Sequence, residues 1–190
     1  MNTEDLHEEL NYVNASRKNR LKYAHLILND LTLFPKLLDI MFMVDDKLSC
    51  RAAWILEFVC IEYPYAIVPY LDTFSNNLKK VHLDSAIRPV SKVCSLIAKA
   101  YCSKTTNPLK KALTPTHKEL MVEACFDWMI SDQKVAAKVH AMETLFLLGK
   151  DSNWIHKELA LILEQDFHTQ SAGFKARAKR ILKRIKQENL

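Results

Sequence analysis

Glycine is nearly absent, with 2 in 190 residues against an average usage of about 7%. Glycine supplies the positive-φ positions of tight turns and lets backbone approach a phosphate closely. Its scarcity excludes the Gly-rich phosphate cradles of Rossmann and P-loop sites, and it argues against a β-rich fold, whose hairpins draw on the same residue. No apolar run reaches the roughly 18 residues that a membrane-spanning helix requires. The opening segment, Met1 to Glu9, is acidic and has no apolar stretch, so no secretory leader is expected. No Cys-x-x-Cys pair occurs among Cys50, Cys60, Cys94, Cys102 and Cys125. An odd number of cysteines among apolar neighbours reads as buried free thiols in a reducing compartment, the cytoplasm. The seven histidines show neither His-x-x-x-His nor His-Glu-x-x-His spacing, so neither a metal nor another cofactor is expected.

What is present is apolar, helical and periodic. Hydrophobic residues make up 49% of the chain, enough for one well-buried domain over residues 1–190. The tetrapeptide His-Lys-Glu-Leu occurs at His117–Leu120 and again at His156–Leu159, 39 residues later. The same offset carries Lys138 onto Arg177 and Met142 onto Ile181. A period near 40 is the mark of stacked helical hairpins. The periodicity predicts about ten helices, at 3–14, 17–29, 33–44, 47–62, 65–78, 83–102, 115–130, 132–148, 152–166 and 171–188.

Punctuation residues agree with these bounds. Pro64 suits a first helical turn, and Thr114-Pro115 places a cap before a proline. Thr116 and Glu119 fit a capping box. Gly149 suits a left-handed C-cap, with Asp151 or Ser152 opening the next helix. Pro69 and Pro89 fall inside helical patterns and should kink them or mark short first turns. Helix 47–62 is apolar on two sides, through Ala52, Ile55 and Val59 and through Trp54 and Phe58, as expected of a helix held between neighbours. The three tryptophans, Trp54, Trp128 and Trp154, are expected mostly in the core.

A leucine followed 17 or 18 residues later by a basic residue recurs as Leu33/Arg51, Leu71/Arg88, Leu120/Lys138 and Leu159/Arg177. Asp46, Asp84 and Asp132 precede the first three basic residues, and the fourth unit has Gln170-Ser171 instead. This pattern, over roughly residues 31–188, resembles the HEAT repeat of the HEAT/armadillo class. The resemblance implies an all-α, right-handed α-α superhelix of about five helical hairpins. It also implies a ladder in which the turn aspartates pair with Arg51, Arg88, Lys138 and Arg177. Residues 3–29 read as an N-terminal capping hairpin, 103–114 as an inserted loop and 171–188 as a basic C-terminal capping helix.

The chain carries a formal charge of +5, unevenly placed. Seven cations fall within the last helix, namely Lys175, Arg177, Lys179, Arg180, Lys183, Arg184 and Lys186, and they leave the rest of the chain near −2. Such a helix attracts acidic protein segments or phosphates, or serves as a solvated cap. No aromatics interleave with the charges, which disfavours base stacking. Cys125 and His140 fall on helices of one hairpin without a third orienting group, so a nucleophile pair has little support. Glu57 and Glu62 lack the arrangement of an acid–base carboxylate pair.

The expected function is a non-enzymatic scaffold for another protein or an acidic peptide, laid along the second helices of the hairpins. The alternative is nucleic-acid binding through the basic helix. In architecture and basic charge alone, the chain resembles HEAT-like alkylpurine DNA glycosylases. The Ser-Ser-x-Met-Pro loop of adenylosuccinate-type helical lyases is missing, and the chain is far too short for that fold.

Overall fold

The computed structural model describes residues 1–187. Glu188, the last residue of the helix expected over 171–188, lies outside the described residues. Among those described there is no strand. There are eleven α-helices: α1 (Thr3–Glu9), α2 (Arg17–Asn29), α3 (Leu33–Met41), α4 (Lys47–Glu62), α5 (Leu71–Asn77), α6 (Asp84–Tyr101), α7 (Pro108–Ala112), α8 (Pro115–Ile130), α9 (Val135–Leu148), α10 (Asn153–Asp166) and α11 (Ala172–Gln187). No single described helix is long and apolar enough to cross a membrane.

Local chemistry explains most of the boundaries. Asn2 caps α1 in a capping box with Asp5, and Ser16 caps α2 by accepting from the Asn19 N–H. Asp46 caps α4 through the Leu48 N–H at 2.8 Å. Thr114 caps α8, but its box partner is His117 rather than Glu119: the His117 N–H donates to Thr114 Oγ1, and the Thr114 N–H donates to His117 Nδ1. The helix expected over 65–78 divides into a 3-10 segment, Pro64–Tyr70, and α5. Pro69 sits inside that segment, where the tighter winding accommodates it. Pro89 has the opposite outcome, because α6 runs through it. A proline has no N–H for the carbonyl four residues back, which here is Ser85. The indole Nε1–H of Trp54 donates to that carbonyl at 2.9 Å. A side chain from α4 thus satisfies the group that the proline orphans.

The segment expected to be an inserted loop at 103–114 contains α7. Asn107 caps it by accepting from the Lys110 N–H, while its amide nitrogen donates to Ala100 O at 2.8 Å. Leu109 is fully buried, and α7 packs on both α6 and the Pro64–Tyr70 segment. The segment is a packed connector.

Helix neighbours follow a regular order. α2 packs on α4, α4 on α6, α6 on α9 and α9 on α11. A second series places α1 on α3 and α5 on α8, while α3 packs on α4 and α8 on α9. Rings join the second series where helices meet: Phe34 stacks on Tyr70 at 4.9 Å and Phe126 on Trp154 at 5.8 Å. One continuous core runs through both series, with Phe34, Phe74, Phe146 and Phe174 completely buried. Trp128 joins it, but Trp54 is half-buried and Trp154 is 57% exposed, contrary to the core position expected for it.

Gly149 is a glycine for a reason other than the one expected. Its φ is −64° and ψ −14°, ordinary right-handed geometry and not a left-handed cap. A Cβ there would stand 2.5 Å from Cδ2 of His156, whose ring lies against the backbone. The His156 Nε2–H donates to the Phe146 carbonyl at 2.7 Å, and its ring stacks on Phe146. Ser152 occupies the N-cap of α10 without a side-chain bond. Gly149→Ala is therefore expected to lower stability by about 1–3 kcal/mol through overpacking, measured as a reduced urea midpoint with unchanged slope. No effect would mean that the α9–α10 corner yields easily.

Candidate functional site

The ladder implied by the HEAT resemblance forms differently. Arg51 does not pair with Asp46. Its Nη1 donates to the carbonyls of Leu10 and Asn11 at 3.1 and 2.6 Å and ties the N-terminal segment to α4. Arg88 makes a two-pronged pair with Glu57 of α4, at 2.9 and 2.5 Å. Arg177 of α11 reaches Glu143 of α9 at 3.3 Å, and Lys99 of α6 reaches the other oxygen of Glu143 at 3.4 Å. Lys138 is buried and has no ion pair with Asp132 among the described residues. The turn acids bond elsewhere: Asp46 to His7 at 3.1 Å, Asp45 to His82 at 3.4 Å and Asp84 to Lys134 at 3.5 Å. The acids opposite Arg88 and Arg177 come from the middle of the preceding helix in the series α4, α6, α9, α11. They cross between helices where the resemblance placed contacts between turns.

These pairs belong to a charged strip across α2, α4, α6, α9 and α11. Its members are Arg20, Glu57, Arg88, Lys92, Lys99, His140, Glu143 and Arg177, and each senses others electrostatically. On α6 the cations fall at 88, 92 and 99, one side of a helix whose other faces are buried. Five permanent cations meet two carboxylates, so the strip is positive even after its pairs are made. Burial, then Lys99 and Arg177, depresses the Lys92 pKa, with Glu57 and Glu143 opposing. Burial first, then Lys92, Arg88 and Lys99, pushes His140 down to about 4. Burial and Arg88 also lower the Arg20 pKa. The Arg20 guanidinium lies over Trp54 at 4.4 Å, and its buried Nε has no hydrogen-bond partner. An anionic ligand along this strip would relieve the mutual repulsion of its cations.

The basic helix α11 is divided by its own packing. Phe174, Ala178, Ile181 and Ile185 are buried. On one flank Arg177 meets Glu143, and Arg184 lies over the Phe146 ring at 4.1 Å. On the other flank Lys179, Lys183 and Lys186 line a groove with Glu164, Phe167 and His168 near α10. Arg180 is exposed and Lys175 half-buried. Five of the seven cations are thus divided between two flanks, Arg177 and Arg184 on one and Lys179, Lys183 and Lys186 on the other, and Arg177 joins the charged strip through Glu143.

Lys92, Lys99, Arg20 and Glu143 escaped the sequence reading, although the i, i+4, i+11 spacing of Arg88, Lys92 and Lys99 on an apolar helix was a usable signal. Cys125 and His140, given little support as a nucleophile pair, share no hydrogen bond among the described residues. Cys125 is wholly buried beside Cys94, while His140 lies on the charged strip. His117 and His156, the repeated histidines, do structural work. His117 Nε2–H donates to Asp72 at 2.7 Å, and His156 bonds inside the core. Among the described residues no group of His, Cys, Asp and Glu is arranged to hold a metal ion. Comparison with protein-family models, with curated proteins and with solved structures finds no match to this chain.

Two measurements probe the strip. Glu57→Ala strands the half-buried Arg88, and a loss of about 1–3 kcal/mol is expected by urea unfolding. This is below the cost of breaking a fully buried pair, because Arg88 still reaches water. His140 titrates near 6.5 when unfolded and near 4 when folded, so the unfolded chain binds the extra proton between those values. The stability tied to His140 is complete above pH 6.5 and declines as pH falls toward 4, by about 1–3 kcal/mol. His140→Gln should flatten that part of the profile. An identical profile in the variant would remove His140 from the electrostatics of the strip.

Proposed function

We propose that this chain is a non-enzymatic interaction scaffold, a right-handed stack of about five HEAT-like helical hairpins. Its second helices, α2, α4, α6, α9 and α11, bind an acidic segment of another protein. The observation that carries this reading is the positive strip. Five helices contribute side chains to one surface, and it retains excess positive charge after its internal ion pairs are made. The successive packing of those helices supports the stacked-hairpin architecture. A strip running across successive helices suits an extended ligand, which can meet one helix after another. The five cysteines are free thiols, four of them buried, which supports the cytoplasm as the working compartment.

An acidic peptide is favoured over nucleic acid because the cations of α11 are divided between two surfaces. That division leaves three of the seven, Lys179, Lys183 and Lys186, along one groove of the basic helix. Anisotropy of a labelled poly-glutamate peptide, compared with labelled single-stranded and duplex oligonucleotides at about 0.05–0.2 M salt, tests the reading. The peptide should bind. Lys92→Ser with Lys99→Ser should weaken it by about tenfold, or ~1.4 kcal/mol, with the melting temperature retained. Tighter oligonucleotide binding, steep in salt and lost in Lys179→Ser with Lys183→Ser, would replace this reading with the nucleic-acid one.

A further inference from the structure

A second surface lies on helices of the other series. A groove of about 540 Å³ runs between α8 and the α9–α10 corner. Val122, Leu148 and Ile155 form its floor and are buried in the core. Its wall is the stacked pair Phe126 and Trp154, and Trp154 is more than half exposed. A tryptophan held rigid by stacking but left in solvent offers a large apolar contact at little entropic cost, which is the character of an interface anchor.

The groove is also acidic. Glu119, Glu123 and Asp127 fall at i, i+4 and i+8 along its α8 side, all exposed. Like charges at that spacing repel one another within the isolated protein. Lys79 pairs with Glu123. At the far end Asp151 is held by Lys118 at 2.6 Å and by the Tyr101 hydroxyl at 2.7 Å. Glu119 and Asp127 have no ion pair among the described residues. Four carboxylates therefore face two cations around an apolar floor.

We propose that this groove docks a basic amphipathic helix of a partner protein, with apolar side chains against Trp154, Phe126 and Val122 and lysines or arginines against Glu119, Glu123 and Asp127. The three carboxylates span about 12 Å of helix axis, which matches cations at i, i+4 and i+8 on an opposing helix. The chain's own cationic helix, α11, cannot supply such a ligand while folded, because its apolar stripe is buried against its neighbours. The groove shares no residue with the positive strip and has the opposite charge, so the two surfaces select different partners.

The test uses the full chain and a labelled helical peptide of about 18 residues, with lysines at i, i+4 and i+8 and leucines at i+3 and i+7. A control peptide has glutamates in place of the lysines. The lysine peptide should bind and the glutamate peptide should not. Trp154→Ala should weaken binding about tenfold or more, with the melting temperature unchanged. Glu119→Lys with Asp127→Lys should abolish binding, whereas Lys92→Ser with Lys99→Ser should leave it intact and so separate this groove from the strip. Equal binding of both peptides, or binding indifferent to Trp154→Ala, would overturn the proposal. So would a concentration-dependent dimer that Trp154→Ala dissociates, since the groove would then belong to a second copy of this chain.

Discussion

The structure depends on the burial of α4, α6 and α9 between neighbours on several sides. Each contacts the preceding and following members of its series, and α4 and α9 also pack on helices of the other series. So little of each helix reaches solvent that polar residues have only a narrow surface to occupy. Glu57 is 5% exposed, yet it retains its charge partner because Arg88 approaches from α6. A buried carboxylate without that guanidinium would cost more than the packing around it recovers. The charged strip is thus what the tight packing of these helices leaves, and its electrostatics follow from the same packing. Burial first, and then the neighbouring cations, lowers the pKa of both His140 and Lys92.

The chain separates its charges by surface. The strip across α2, α4, α6, α9 and α11 is positive, and the exposed side of α8 beside Trp154 is negative. The net charge of +5 conceals this division, since the carboxylates of the groove and the cations of the strip lie on different helices. Electrostatic steering acts over about 10 Å at ordinary ionic strength, so each surface presents its own sign to an approaching partner. In the proposed scaffold, two surfaces of opposite sign would hold an acidic and a basic partner at once. This is a stronger basis for an adaptor role than the cationic last helix alone.

Several features of the fold were legible in the chain itself. The scarcity of glycine, the period near 40 and the Thr114-Pro115 signal all pointed to helices, and most formed close to the expected bounds, though α1 ends at Glu9, the helix expected over 65–78 divides and 103–114 holds α7. The turn aspartates were a different matter. Asp46 and Asp84 do occupy or adjoin helix starts, as their sequence positions suggest, but they bond His7 and Lys134 instead of the arginines. Capping is local and readable within a few residues, whereas a pairing over some 30 positions depends on which helix lies next door. Gly149 illustrates the same limit, because its role comes from the ring of His156 and not from its own backbone angles.

By itself the sequence determined a helical chain, the starts of most of its longer helices, and which faces are apolar. These follow from backbone chemistry and side-chain periodicity, which act within one or two turns. Only the tertiary structure decided that Glu57 meets Arg88, that Glu143 serves both Lys99 and Arg177, and that Trp54 satisfies the carbonyl freed by Pro89. It alone decided that Trp154 faces outward over an acidic groove. Each of these outcomes needs two or more helices at a particular offset and rotation, and many side chains packing at once set that offset.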